Sequence, residues 1–304
     1  MKPTSLFLVL LFLLTPLSIH AESLAFRPGK VAGEYTFDTG TLAGTLRKGD
    51  KSIGLLPMTH LETGTDLAKT PGLVNYYRIF TTNHRFYPDA RAFPCTTKLT
   101  KQGALQVTWE ATEDRPFKIQ VIYTWRDKKT LDLRTQVSAT KDLPDFEAFL
   151  SSYHADGFPS TEIYAQQEGG PKFIEAEPET GTWQMLPRDE KAWAICKDGR
   201  WDYPPSPVDW ARPADFAKPI VMRRHKENNL VVVLMAPAKD CISVSTCCKD
   251  EAHRSFYLSL FGRTLRAGET DTVHSRLLVL TDESNQDIVA RYHAYLAELE
   301  KNGE

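Results

Sequence analysis

The stretch ALQVTWEATEDRPFKIQVIYTWRDKKTLDLRTQVSAT, residues 104–140, decides the fold. Leu105, Val107 and Trp109 alternate with Gln106, Thr108 and Glu110. Ile119, Val121, Tyr123 and Trp125 alternate with Lys118, Gln120 and Thr124, and only Ile122 breaks the polar side. Leu131, Leu133, Thr135, Val137 and Ala139 alternate with Asp132, Arg134, Gln136 and Ser138. Side chains of a strand point to opposite faces in turn. Period two over three successive runs therefore predicts antiparallel strands with one apolar and one wetted face. Arg126-Asp127-Lys128-Lys129 is the polar turn between the last two. Strands this long suit a large sandwich better than a small immunoglobulin-type one.

Working outward, short strands are expected at 31–37 and 42–46, around Asp38-Thr39-Gly40, and an apolar segment at 52–58. Further strands are expected at 172–176, 182–186, 192–196, 219–223, 230–235, 241–246, 255–261 and 272–280, with 263–270 as a turn. Residues 230–235 are apolar on both faces and belong in the middle of a sheet. One strong helix is expected after Ser284, capped by that residue with Asp287 three positions on; Ile288, Tyr292, Tyr295, Leu296 and Leu299 share one face. The fold class is thus all-β, a large antiparallel β-sandwich with one C-terminal helix.

The chain opens MKPTSLFLVLLFLLTPLSIHAES. Lys2 precedes an apolar run from Leu6 to Leu14, and Ala21 offers a small residue for cleavage. This reads as a signal peptide over 1–21, with 22–304 as one domain in a secreted or periplasmic protein. The run is about half of the ~20 residues a membrane span needs, and no later segment is long and apolar enough. The formal net charge of −2 gives no general affinity for nucleic acid or anionic membrane. Five cysteines in an exported chain allow one disulfide or a set of buried thiols. The spacing of Cys241, Cys247, Cys248 and His253 matches no zinc pattern, so no metal and no cofactor is expected. No feature sets an oligomeric state.

Candidate site residues cluster in three places. Residues 75–91 bring Asn75, Arg78, His84, Arg85 and Arg91 close together. Arginines there suit hydrogen bonds to hydroxyls or a carboxylate, or else surface ion pairs. Residues 146–164, FEAFLSSYHADGFPSTEIY, run from an apolar strand into a Gly157/Pro159 turn carrying His154 and Asp156. A histidine beside a carboxylate can act as an acid or base, or can cap a strand end. Glu147, inside an apolar strand, needs a cationic partner or the solvent face. Trp201, Tyr203 and Trp210, in the irregular WDYPPSPVDW segment, can stack on sugar rings or pack the loop onto the sandwich. No nucleotide-binding or serine-hydrolase motif is present.

NYYRIFTTNHR (75–85), DFEAFLSSYHADGF (145–158) and FYLSLFGRTLRAGETDTVHSRLLVL (256–280) resemble segments of the galactose mutarotase-like superfamily, which includes the aldose epimerases. The resemblance implies a β-supersandwich of two bent sheets. It also implies acid–base chemistry in which a carboxylate and a histidine act on the anomeric centre. The chain departs from the epimerase pattern, because His154 follows Tyr153 instead of preceding it. The expected function is carbohydrate binding with epimerase- or lyase-like chemistry. His154, Glu147 and His84 are the catalytic candidates. Arg78, Arg85, Asn75, Asp156, Trp201 and Trp210 are the binding candidates. The alternative is a non-catalytic structural protein of the cell envelope.

Overall fold

A computed structural model describes residues 24–47 and 53–304. The leader expected over 1–21 and the start of the segment at 52–58 lie outside the described residues. Among the described residues all strand pairing within the sheets is antiparallel. A nine-stranded sheet runs, edge to edge, through Lys172–Glu175, Thr161–Ala165, Phe216–Arg224, Leu230–Met235, Thr270–Thr281, Thr130–Ala139, Phe117–Trp125, Leu105–Trp109 and Thr96–Leu99. A six-stranded sheet runs through Trp183–Pro187, Cys241–Cys247, Ser255–Leu265, Leu143–Tyr153, Asn75–Thr81 and His84–Phe86. A smaller five-stranded sheet is built from residues 27–66.

The alternation in 104–140 becomes burial. Ile119 pairs with Val137, Val121 with Thr135 and Tyr123 with Leu133, all facing the apolar interior. Their polar neighbours lie on the other, less buried face. From the opposing sheet, Phe146, Ala148, Leu150, Phe256, Leu258 and Leu260 enter the same core. Leu230–Met235 is central, as its two apolar faces require. Val232 and Leu234 enter the inter-sheet core, while Val231, Val233 and Met235 meet the C-terminal helix Asn285–Lys301. Ile288, Tyr292, Tyr295 and Leu299 of that helix are buried there. Ser284 and Asp287 cap it reciprocally.

Two local expectations are corrected. Residues 192–196 are not a strand but part of a second helix, Glu190–Cys196, which buries Ala192, Ile195 and Cys196. Asp189 accepts a 2.8 Å hydrogen bond from the Ala192 backbone N–H and starts it. The turn expected at 263–270 is shorter, because the strand continues to Leu265 and the next begins at Thr270. The described residues contain no disulfide. Burial pushes the Cys196 and Cys241 thiols well above their ordinary range. No helix among the described residues is long and apolar enough to cross a membrane.

The helix docking sets a stability expectation. Ile288→Ala should cost about 2–5 kcal/mol through the cavity it leaves, and Ser284→Ala about 0.5–2 kcal/mol through the lost cap. Urea unfolding reads both. An Ile288→Ala loss no larger than that of the cap would mean the helix is not packed as described.

Candidate functional site

The strand Leu143–Tyr153 lies between Asn75–Thr81 and Ser255–Leu265. Its even-numbered apolar residues enter the inter-sheet core, while Glu147, Phe149 and Tyr153 face outward from the sandwich. A bulge in the pairing matches Phe149 with Arg78 but Leu150 with Tyr76, leaving Tyr77 as the extra residue. The bulge re-aims the strand. Tyr76 goes into the core, and Tyr77 and Arg78 reach the outer face together.

That outer face is roofed by the segment following the second helix. Arg200 is driven into it with no side-chain exposure. It donates to Glu147 at 2.8 Å, to both oxygens of Asp198 at 2.9–3.0 Å, and to the Asp145 carbonyl at 3.2 Å. Arg85 Nη1 donates to the carbonyl oxygens of Pro205 at 2.7 Å and Tyr203 at 3.3 Å, while Nη2 pairs with Asp89 at 2.6 Å. Arg78 Nη2 donates to the Ser206 carbonyl at 2.7 Å. An irregular segment has no ladder for its own carbonyl groups, and Arg85 and Arg78 satisfy three of them.

Between roof and sheet lies a cavity of about 250 Å³. Its floor is Phe149 stacked on Tyr257, with ring centroids 4.6 Å apart. Trp201 meets Phe149 edge-on at 4.8 Å and Trp210 at 5.1 Å, and Trp183 meets Trp210 at 6.1 Å. Arg78, 4.8 Å from the Tyr77 ring centroid and 5.0 Å from a Trp201 one, closes one wall. A more open hollow of about 420 Å³, lined by Lys69, Arg91 and Glu251, shares Tyr77, Tyr153 and His253 with the first. Burial raises the Tyr153 and Tyr257 phenols above their ordinary range, so both stay neutral. At the mouth, His253 Nδ1 lies 2.7 Å from Glu251 Oε1. The hydrogen bond from His253 holds the Glu251 carboxyl below the usual carboxylate range. A carboxylate on one ring nitrogen orients an imidazole for proton transfer through the other.

The structure brings Arg78, Trp201 and Trp210 to one cavity, and Arg91 to its mouth. It does not bring the three catalytic candidates together. Glu147 is sealed under Arg200, and burial pushes its carboxyl up although Arg200 pulls it down. His154, one residue past Tyr153, packs against Phe256 and Phe158, and neither ring nitrogen has a partner. Burial, with Arg223 and Lys69 nearby, lowers its pKa far enough to keep it neutral. His84 lies exposed on a hairpin turn against Phe86 and Tyr203. A shared catalytic role for these three has no geometric support. Of the other candidates, Arg85 holds the roof, and Asn75 is buried, donating to the Gly72 carbonyl at 2.9 Å. Asp156 is exposed, 3.2 Å from Arg254. His225 packs on Phe158 at the Gly157 turn, where a Cβ would lie 2.1 Å from the histidine ring. Tyr77, Tyr153, Trp183, Tyr257 and His253 were not singled out for this site by sequence.

No protein-family model matches the chain, and no curated protein sequence matches it. Solved structures do. The chain resembles an alpha-N-acetylgalactosaminidase, NagBb from Bifidobacterium bifidum, as a quadruple mutant, with a TM-score of 0.54 at 13% identity. That match covers 86% of this chain and 39% of the enzyme. The Slr1438 protein of Synechocystis sp. PCC 6803 matches with a TM-score of 0.52 at 9% identity, over 85% of this chain and 98% of its own. A heparan sulfate lyase HepC mutant from Pedobacter heparinus matches with a TM-score of 0.50 at 9% identity, over 86% of this chain and 37% of its own. At these identities the likeness is one of fold. The shared fold is the large antiparallel β-sandwich that the alternating strands implied.

The roof depends on the Arg200 pair, and that can be measured. Glu147→Gln leaves a dry guanidinium with Asp198 alone and should cost about 3 kcal/mol, the low end for a broken buried pair. Chemical denaturation of the variant gives the value. A cost under about 1 kcal/mol would show that Glu147 does not hold the roof.

Proposed function

We propose that this is an exported carbohydrate-binding protein, with residues 22–304 as one domain, and that the aromatic cavity on the outer face of the six-stranded sheet holds the sugar. The observation that carries this is the box formed by Phe149, Trp183, Trp201, Trp210 and Tyr257, with Arg78 in its wall. Aromatic faces match the apolar C–H face of a pyranose, and a few placed donors fix its orientation. Two structural neighbours bear the names of enzymes acting on sugars, which supports the same reading. Export rests on Lys2 and the apolar run from Leu6 to Leu14. The single domain is supported by one apolar cluster that runs from Phe26 to Val279.

The tryptophans report on their own cavity. Titrating a panel of neutral and acidic methyl glycosides should change the intrinsic fluorescence with saturation. Trp183→Ala, at a partly exposed position, should weaken binding about tenfold, equivalent to about 1.4 kcal/mol. A protein inert across the whole panel would overturn the proposal.

The His253–Glu251 pair favours a second reading, acid–base chemistry on the bound sugar. On this reading the wild type accelerates anomer exchange of a sugar it binds, followed by polarimetry, and His253→Gln abolishes the acceleration while binding persists. Equal rates in both proteins would remove His253 from the chemistry.

A further inference from the structure

We propose that the cavity selects a saccharide carrying an anionic group, a carboxylate or a sulfate ester, and that Arg78 is the residue that recognises it. This rests on the cavity being a sugar site and goes on to name the class of sugar.

Arg78 lacks a counter-charge and most of its hydrogen-bond partners. Its side chain is 1% exposed. Nη2 donates to the Ser206 carbonyl and, at 3.2 Å, to the Tyr77 hydroxyl, while Nε and Nη1 have no partner. Among the described residues no carboxylate forms an ion pair with it, and none lines the inner cavity. A buried cation without a counter-charge is unfavourable unless something else supplies the charge. The Tyr77 and Trp201 rings beside it offset only part of that cost. Trp201 and Trp210, which line the same cavity, also have buried indole N–H groups without acceptors.

The surroundings add to the imbalance. Arg85 and Arg91 share one carboxylate, Asp89, at 2.6 and 3.3 Å, so three neighbouring guanidinium groups face a single acid. Lys69, which lines the outer hollow, shares the exposed Asp156 with Arg254, at 3.8 and 3.2 Å. Glu251, the one carboxylate lining that hollow, is engaged by His253. The site therefore combines buried donors without acceptors, and surplus positive charge, with an aromatic floor. An acidic sugar supplies what is missing, with a counter-charge for Arg78 and a ring face for Phe149 and Tyr257.

The test compares matched sugars on the intact protein by calorimetry at neutral pH and low salt. The methyl glycosides of glucuronate and galacturonate, and glucose 6-sulfate, are set against glucose and galactose methyl glycosides and against the methyl ester of the glucuronide. At least one acidic sugar should bind ten times or more tighter than its neutral counterpart. Added salt should narrow the gap, and esterification should erase it. The uronate and sulfate arms identify which anion is preferred. Arg78→Gln, checked for folding by its melting transition, should abolish the preference; if it does not fold, the ester comparison carries the test alone. Neutral sugars binding as tightly as acidic ones would overturn this proposal and leave the sugar site intact. No binding by any sugar would overturn both.

Discussion

Everything on the outer face of the six-stranded sheet depends on Arg200. A guanidinium in a dry place must have its charge and its donors answered, and Glu147, Asp198 and the Asp145 carbonyl answer them. Two of these partners belong to the strand segment at 145–147 and one to the roof, so a single side chain ties the irregular segment to the sheet. Trp201 follows immediately in sequence and is thereby set against Phe80 and Phe149, at 4.7 and 4.8 Å. Arg85 and Arg78 repeat the device further along, at Pro205 and Ser206. A segment without secondary structure gains a defined path because Arg200 ties it to Glu147 and because Arg85 and Arg78 take up its carbonyl oxygens.

The resulting cavity combines neutral phenols and indoles with one cation. Burial keeps Tyr153 and Tyr257 protonated, so they present hydroxyl groups rather than negative charge. The floor stands on a sheet packed from behind by the main core, which gives it little freedom to collapse. Rigid aromatic walls on a buried sheet are what a weak, face-selective contact such as ring stacking requires. The wetter rim carries His253, Arg91 and Lys69.

The sandwich was legible in the sequence because period two records burial directly. Leu230–Met235 was legible as central because both of its faces are apolar. The helix Glu190–Cys196 was not, since a short apolar run reads equally as strand or helix and only the Asp189 cap separates them. Glu147 is legible as needing a cation or the solvent face, but the cation is Arg200, 53 positions away, which no local pattern identifies. Tyr153 and His154 show how narrowly a strand distributes function. One step along the chain sends the tyrosine into the cavity and the histidine away from it. The bulge at Tyr77 depends on the register of a partner strand, which no local pattern encodes. His253 lies in a turn without periodicity, and its role rests on neighbours distant in sequence.

The central claim is that a sugar lies between the tryptophan roof and the six-stranded sheet. A crystal structure of the protein soaked with a saccharide that binds in solution tests it most directly. The account predicts a pyranose ring against Phe149, Tyr257 and Trp210, within hydrogen-bonding reach of Arg78. A saccharide seated elsewhere, such as the hollow at Tyr164 and Phe173 beside the C-terminal helix, with the aromatic cavity empty, would contradict it.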